Sequence, residues 1–461
     1  MASRSEGIDP KVARVAAVLL VGALAVVFDT TIVSVALRTL AQDLNSSVAT
    51  IQWVSTGYLL ALGVAIPLAG WAQARFGGKR VWMLALAIFL VGSVACSLAW
   101  DAPSLILARV VQGLGGGLML PLLSTLIVQA AGGAGLGRIM SIVSLPTALG
   151  PILGPVIGGL ILGALDWRWL FWVNVPFCVV GLILAWRVLD RDLTTARPKL
   201  DVVGLVLLSP GLVGILYGLS NAGKDGGFGR GDVLVPLLAG LALLALFAVY
   251  AVRRGDKALV DLRLFRHRPV WSASVLLFLS GASLYGGMLL LPLYWQDVRG
   301  FDALGAGLLL APQGIGTLFS RGLAGRLTDS IGARTVAVIG FAIVGLATIP
   351  FAFATESTNQ WLLMAVLVVR GLGMGAVMIP LMTVAYVGLE RADVPHASIL
   401  TRITQQIGGS FGVALLAVIL EGAAAVGHGA AAFDLAFWWA VGFTALAVAV
   451  SFALPRRAAV S

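Results

Sequence analysis

Charge is what this chain has least of. Of its 461 residues only 11% are charged, 59% are hydrophobic, and the mean hydropathy is +0.99. A water-soluble fold of this length cannot cover so much apolar surface, which excludes the soluble classes. Histidine is scarce as well. His267, His396 and His428 lie in three different segments, so no metal-ligand pattern forms. The two cysteines, Cys96 and Cys178, both fall inside apolar runs and read as small packing residues without redox meaning. The short alternating pattern of an outer-membrane barrel is missing. So is a cleavable signal peptide: the first apolar run is too long and carries Asp29, and it is expected to be a retained spanner.

What is present is a series of apolar runs near 20 residues, the length a helix needs to cross roughly 30 Å of hydrocarbon. Fourteen spans are expected, at 15–37, 50–73, 81–99, 104–131, 139–165, 170–186, 202–221, 233–252, 269–295, 303–320, 335–354, 360–386, 397–420 and 434–454. The net charge of +10 does not point to nucleic acid, because its placement has a simpler cause. With the N-terminus inside, about 23 of the 31 Lys and Arg fall in cytoplasmic segments, about 5 in outer loops and about 3 in spans. That asymmetry supports the span count and leads to a cytoplasmic C-terminus as the expectation. Trp100, Trp167, Trp169, Trp295 and Trp361 fall at outer ends, where interfacial tryptophan is expected.

The conspicuous electrostatic problem is Asp29, in VVFDTTIVSVAL. A carboxylate in hydrocarbon costs several kcal/mol unless it is protonated, paired or facing a wet cavity. Gly22, Ala25, Ile32, Val33 and Ala36 share its helical face in this reading. Arg109, in span 4, lies at a similar depth, counted at about 1.5 Å per residue from the span ends. An ion pair is the cheapest way to keep either one there.

The chain also repeats itself. The basic loop 70–80, GWAQARFGGKR, returns at 325–334 as GRLTDSIGAR, and VVQGLGGG at 110–117 returns as VVRGLGMG at 368–375. The offsets, 325 − 70 = 255 and 370 − 112 = 258, nearly agree, and Gly150 and Gly154 return at 258 as Gly408 and Gly412. An internal duplication follows, with domains expected at 1–190, 191–260 (two extra helices) and 261–461.

Large or semi-polar side chains in the spans are candidates for lining a central cavity. In the first half these are Phe28, Trp53, Tyr58, Gln112 and Met119; Trp53 reads equally as an interfacial anchor. In the second half they are Tyr285, Met288, Tyr294, Trp295, Gln313, Arg370 and Gln405. Arg370 has a structural and a substrate-binding reading of equal weight, and Gln406 or Arg402 can replace Gln405, since helix rotation is not fixed by sequence. The match of 408–412 to G-x-S-x-G is accidental in a membrane helix, and the glycine-rich stretches lack a phosphate-binding Lys-Ser/Thr. No enzyme constellation is left.

With FDTTIVSVAL, RVVQGLGGG, LGPILGPVIGG, DWRWLFWVNVP and LPLYWQDVRGFDALGAGLLLAPQGIG, the chain resembles the major facilitator superfamily, in its fourteen-helix drug:proton antiporter branch of the QacA/EmrB type. The resemblance implies an all-α membrane fold of two six-helix halves plus two linker helices. It implies proton coupling through Asp29 and Arg109, and an antiporter bend formed by Gly150, Pro151, Gly154, Pro155, Gly158 and Gly159. Cytoplasmic gating loops would be formed by Gly70, Gly77 and Arg80 and by Gly325, Asp329 and Gly332; Ala74 stands where relatives usually carry an acid. The expected function is multidrug export across a bacterial inner membrane in exchange for protons, with no cofactor. Expected partners are a small hydrophobic or cationic substrate and membrane lipids, the protein itself a monomer. The alternative is an exporter of one narrow cargo, such as a self-made antibiotic, siderophore or amino acid.

Overall fold

The computed structural model describes residues 9–33, 36–46, 48–131, 145–190, 198–222, 227–301, 303–390, 392–425 and 429–455, and every regular element among them is helical. Helix α1 (Pro10–Ile32) starts with proline at its first position, capped by Asp9, whose carboxylate accepts the Lys11 N–H at 2.7 Å. It stops at Ile32, so Ala36 does not continue the face that carries Asp29; a short α2 (Leu37–Asp43) follows. Helices α3 (Val48–Ala65) and α4 (Leu68–Phe76) form one apolar rod bent by 52° at Pro67, whose ring cannot continue the backbone ladder. Then come α5 (Gly78–Ser97), α6 (Ala102–Ala131), α7 (Leu145–Ala164), the single turn α8 (Trp169–Trp172) and α9 (Asn174–Val188). A hairpin of α10 (Val202–Ala222) and α11 (Gly231–Arg254) precedes α12 (Arg268–Leu293) and α13 (Ala303–Ile331). The chain ends with α14 (Ala333–Thr348), α15 (Gln360–Ala385), α16 (Val394–Ala425) and α17 (Gly429–Ser451). Among the described residues, eleven helices are long and apolar enough to cross a membrane, or twelve if the bent α3–α4 rod is one span.

Packing repeats as the sequence motifs do. Helix α1 lies on α7 and α9, α6 takes α3 and α5, and α5 also meets α9. In the second set α12 lies on α16 and α17, α15 takes α13 and α14, and α14 also meets α17. The α10–α11 hairpin stands outside this pattern. Helix α10 touches α3 of one set and α16 of the other, while α11 packs on α10 and turns Leu234, Val235, Leu238, Leu241 and Leu246 outward. A Cβ on Gly240 would lie 2.7 Å from the Gly211 carbonyl, so glycine is what lets these two backbones touch.

The apolar core has two layers. At the face that carries the chain ends it is one continuous cluster, running from Val15, Leu62 and Met119 of the first set through Leu208 to Leu277, Met382 and Ile399 of the second. Toward the opposite face it divides. Phe28, Ile51, Leu105 and Trp167 belong to one cluster, and Leu290, Trp295, Phe351 and Phe437 to another. The two sets are therefore sealed together at the terminal face and have separate cores at the other. Across the seal, Ser398 donates to the Pro121 carbonyl at 2.9 Å, and Gly70 rests against Ile399 and Pro395.

Two tryptophans expected as interfacial anchors are core instead. Trp167 packs edge-on against Phe171, and Trp295 against Tyr294 and Phe301, while Trp100, Trp169 and Trp361 are exposed.

Candidate functional site

Between the two apolar layers of the first set lies a polar cluster. Asp29 is 0% exposed and pairs with Arg109, itself 1% exposed. Four helices hold the pair. Gln112, one turn along α6 from Arg109, donates to Asp29 Oδ1 at 2.9 Å and accepts from Arg109 at 2.7 Å. Asn174, at the start of α9, donates to the same Oδ1 at 3.0 Å. Ser93 of α5 accepts from Asn174 at 3.0 Å and from Gln112 at 3.2 Å, and passes its own proton to the Phe171 carbonyl at 3.0 Å. Arg109 also donates to the Val54 carbonyl of α3 at 3.2 Å, and its guanidinium lies 4.0 Å from the centre of the Tyr58 ring. Each charge thus has its counter-ion and further hydrogen bonds, the condition under which a buried pair is tolerable. The carboxyl reaches no open surface: it is enclosed by protein on every side.

The sequence brings Asp29 and Arg109 to one depth, and the structure joins them. Asn174 and Ser93 went unread. Their signal was being the polar residues of otherwise apolar runs, but nothing in an apolar ring of neighbours fixes which way such a side chain turns.

The second set holds the counterpart, built on different residues. Arg370 of α15, 2% exposed, donates to Gln313 Oε1 of α13 at 2.5 Å and to Thr348 Oγ1 of α14 at 3.1 Å. The duplication maps these onto the first cluster: 370 − 112 and 287 − 29 both give 258, while 313 − 58 and 348 − 93 both give 255. Gln112 is thus replaced by Arg370, Ser93 by Thr348, Tyr58 by Gln313, and Asp29 by Gly287. The Arg370 guanidinium occupies the space a side chain at 287 would need.

Several residues expected to line a cavity are enclosed. Tyr58 and Gln112 belong to the ion-pair cluster. Phe28 is spent on an edge contact with Phe177 inside the first set, and Met119 lies against Gly22 of α1. Tyr294 and Trp295 sit on a π-helical turn after α12, in an aromatic cluster with Phe351, Phe433 and Phe437. Large rings gain more by burying both faces than by lining a wet cleft. Trp53 is exposed and stacks on Tyr217 of α10 at 5.8 Å. Tyr285 is 39% exposed, Met288 and Gln313 are half-buried, and Gln405 is buried with its amide 3.8 Å from the Met378 sulfur.

The gating loops are mostly helix. Gly70 lies within α4, Arg80 within α5, and Gly325 and Asp329 within α13. Only Gly77 (φ 88°, ψ 148°) and Gly332 (φ 96°, ψ 148°) make the turn, in a region of backbone space open almost only to glycine. In α7, Gly150 meets Val27 and Gly154 meets Thr31, so these two glycines let α7 lie directly on α1. Gly158 is buried, whereas Gly159 is exposed with nothing near it. The backbone stays helical through Pro151 and Pro155, whose side chains lie outside the described residues.

The comparisons with known proteins agree with this architecture. Residues 19–413 match the Major Facilitator Superfamily. The chain is 38% identical over 420 residues, 91% of its length and 78% of the relative's, to the multidrug resistance protein B homolog of Mycobacterium tuberculosis. It is 31% identical over 398 residues, 85% of its length and 82% of the relative's, to the lincomycin resistance protein LmrB of Bacillus subtilis. At 16% identity its fold matches the proton:xylose symporter XylE with a TM-score of 0.66, covering 96% of this chain and 95% of that one. With a duplicated helical bundle, a sealed ion pair in one half and matches along nearly its whole length, the chain belongs to the major facilitator superfamily of membrane transporters.

Proposed function

We propose that this transporter is a proton-driven exporter of amphipathic small molecules, of the fourteen-span antiporter type. It sits in a bacterial cytoplasmic membrane with both termini inside and works by alternating access between two six-helix halves. The resistance functions in its relatives' names favour export of antibiotic-like compounds. The reading is carried by the enclosed Asp29–Arg109 pair. A lone carboxylate is costly at this depth, and it is kept in a ring of donors that holds it in place.

In the conformation seen, the terminal face is shut and Asp29 is cut off from both sides. Proton exchange belongs to another state, in which α1 moves relative to α6. Protonation removes the charge that Arg109 answers, weakens the tie, and biases the two-state body. One charge crossing the full membrane potential contributes about 2.3 kcal/mol per 100 mV, and one proton per cycle is the simplest coupling.

The test is uphill flux in proteoliposomes. The Asp29→Asn protein is expected to lose accumulation driven by a pH gradient while retaining downhill exchange of substrate. Uphill flux that survives the substitution overturns the scheme.

A further inference from the structure

We infer that Arg370, framed by Gln313 and Thr348, is the seat for the acidic head group of an amphipathic cargo, the cargo supplying the carboxylate that the second half of the protein lacks; the assignment of the ligand as cargo rests on the exporter reading above. The duplicated cluster carries the argument. In the first half Asp29 answers Arg109. In the second, the position of the acid is Gly287 and the position of Gln112 is Arg370, so a cation stands where the amide was and no anion faces it. Among the described residues, no carboxylate forms an ion pair with Arg370, whose hydrogen-bond partners are Gln313, Thr348 and the Met374 sulfur, all neutral. Neutral acceptors of this kind orient a guanidinium without cancelling its charge.

A second cation adds to the field. Arg402 of α16 is 9% exposed and its Nε has no hydrogen-bond partner. Among the described residues, Arg109 of the first half has its counter-ion, while Arg370 and Arg402 of the second form no ion pair. Unpaired buried cations are costly and are kept where they are used. Arg370 lies beside accessible side chains, the half-buried Gln313 and Met374. A planar guanidinium fork suits a carboxylate held by two parallel hydrogen bonds. The apolar remainder of the cargo would lie along half-buried Met374, an adaptable surface for varied shapes.

The test uses three probes with one apolar body: pyrenebutyrate, pyrenebutanol and pyrenebutyl-trimethylammonium. Each is titrated by fluorescence into the purified full-length protein in neutral detergent. Pyrenebutyrate is expected to bind at least about tenfold more tightly than either of the others. Arg370→Gln is expected to erase that preference and leave pyrenebutanol binding within about twofold, while Arg370→Lys keeps part of it. Gly287→Asp, which supplies the missing acid from the protein itself, is expected to abolish pyrenebutyrate binding. Equal or tighter binding of the neutral or cationic probe overturns the inference, as does a preserved acid preference in Arg370→Gln. If neither variant folds, the ranking on the unaltered protein decides alone. Displacement of pyrenebutyrate by added phosphatidylglycerol overturns the cargo assignment in favour of a lipid head group. Binding in detergent needs no gradient, so an intact preference without uphill transport in liposomes overturns the exporter reading and leaves the seat standing.

Discussion

Arg109 is the residue whose replacement separates charge from geometry. Its guanidinium donates to Asp29, to Gln112 and to the Val54 carbonyl, and it stacks on Tyr58. Lysine keeps the charge but cannot present that planar fork. Arg109→Ala is expected to cost about 3–5 kcal/mol by leaving a buried carboxylate without its counter-ion. Arg109→Lys should recover most of that stability and little of the coupled transport. Thermal melting in detergent, set beside proteoliposome flux, checks both; a lysine protein that transports normally would show that charge alone suffices. At this scale the sequence was legible where counting sufficed. Asp29 and Arg109 are ionisable residues standing alone deep in long apolar runs, and rise per residue put them level. Asn174, Ser93 and Thr348 were not, because a small polar side chain can also satisfy itself on its own helix, as Thr348 does with the Val344 carbonyl at 2.7 Å.

Among the elements, the repeated basic turns are informative. The sequence places a gating loop at 70–80 and at 325–334, yet helices run through both segments and each turn is reduced to one glycine. The motif was visible; its secondary structure was not, because charged and glycine-bearing stretches resemble loops whether or not they are helical. Gly77→Ala and Gly332→Ala are each expected to destabilise the protein by about 1–3 kcal/mol, the cost of forcing a side chain into that backbone region. Melting temperatures of the two variants against Gly78→Ala, a neighbour inside α5, measure it; equal melting of all three would dismiss the backbone argument. The bend at Pro67 was similarly open to reading from proline alone, whereas the termination of α1 at Ile32 has no breaker residue to announce it.

For the whole molecule, duplication was the legible feature, because glycines that allow helix contact recur at a fixed offset. The seal between the halves was not legible, since residues that close a gate in one conformation look like any apolar helix face. Its geometry permits a direct test. A Cβ at Gly70 would lie 3.4 Å from that of Pro395, close to the spacing of a disulfide. Gly70→Cys combined with Pro395→Cys is expected to cross-link under mild oxidant and stop transport, with activity restored by reductant. Cys96 and Cys178 are buried and should not interfere. A cross-linked protein that still turns over would mean that this face need not open. The makeup of the seal also reaches beyond mechanics. It is a continuous apolar cluster, so parting it wets hydrocarbon and raises the heat capacity of the parted form. The balance between the two conformations therefore bends with temperature, and chilling loosens the shut state. The same polypeptide would rest differently in a cold habitat than in a warm one, with no change in any residue.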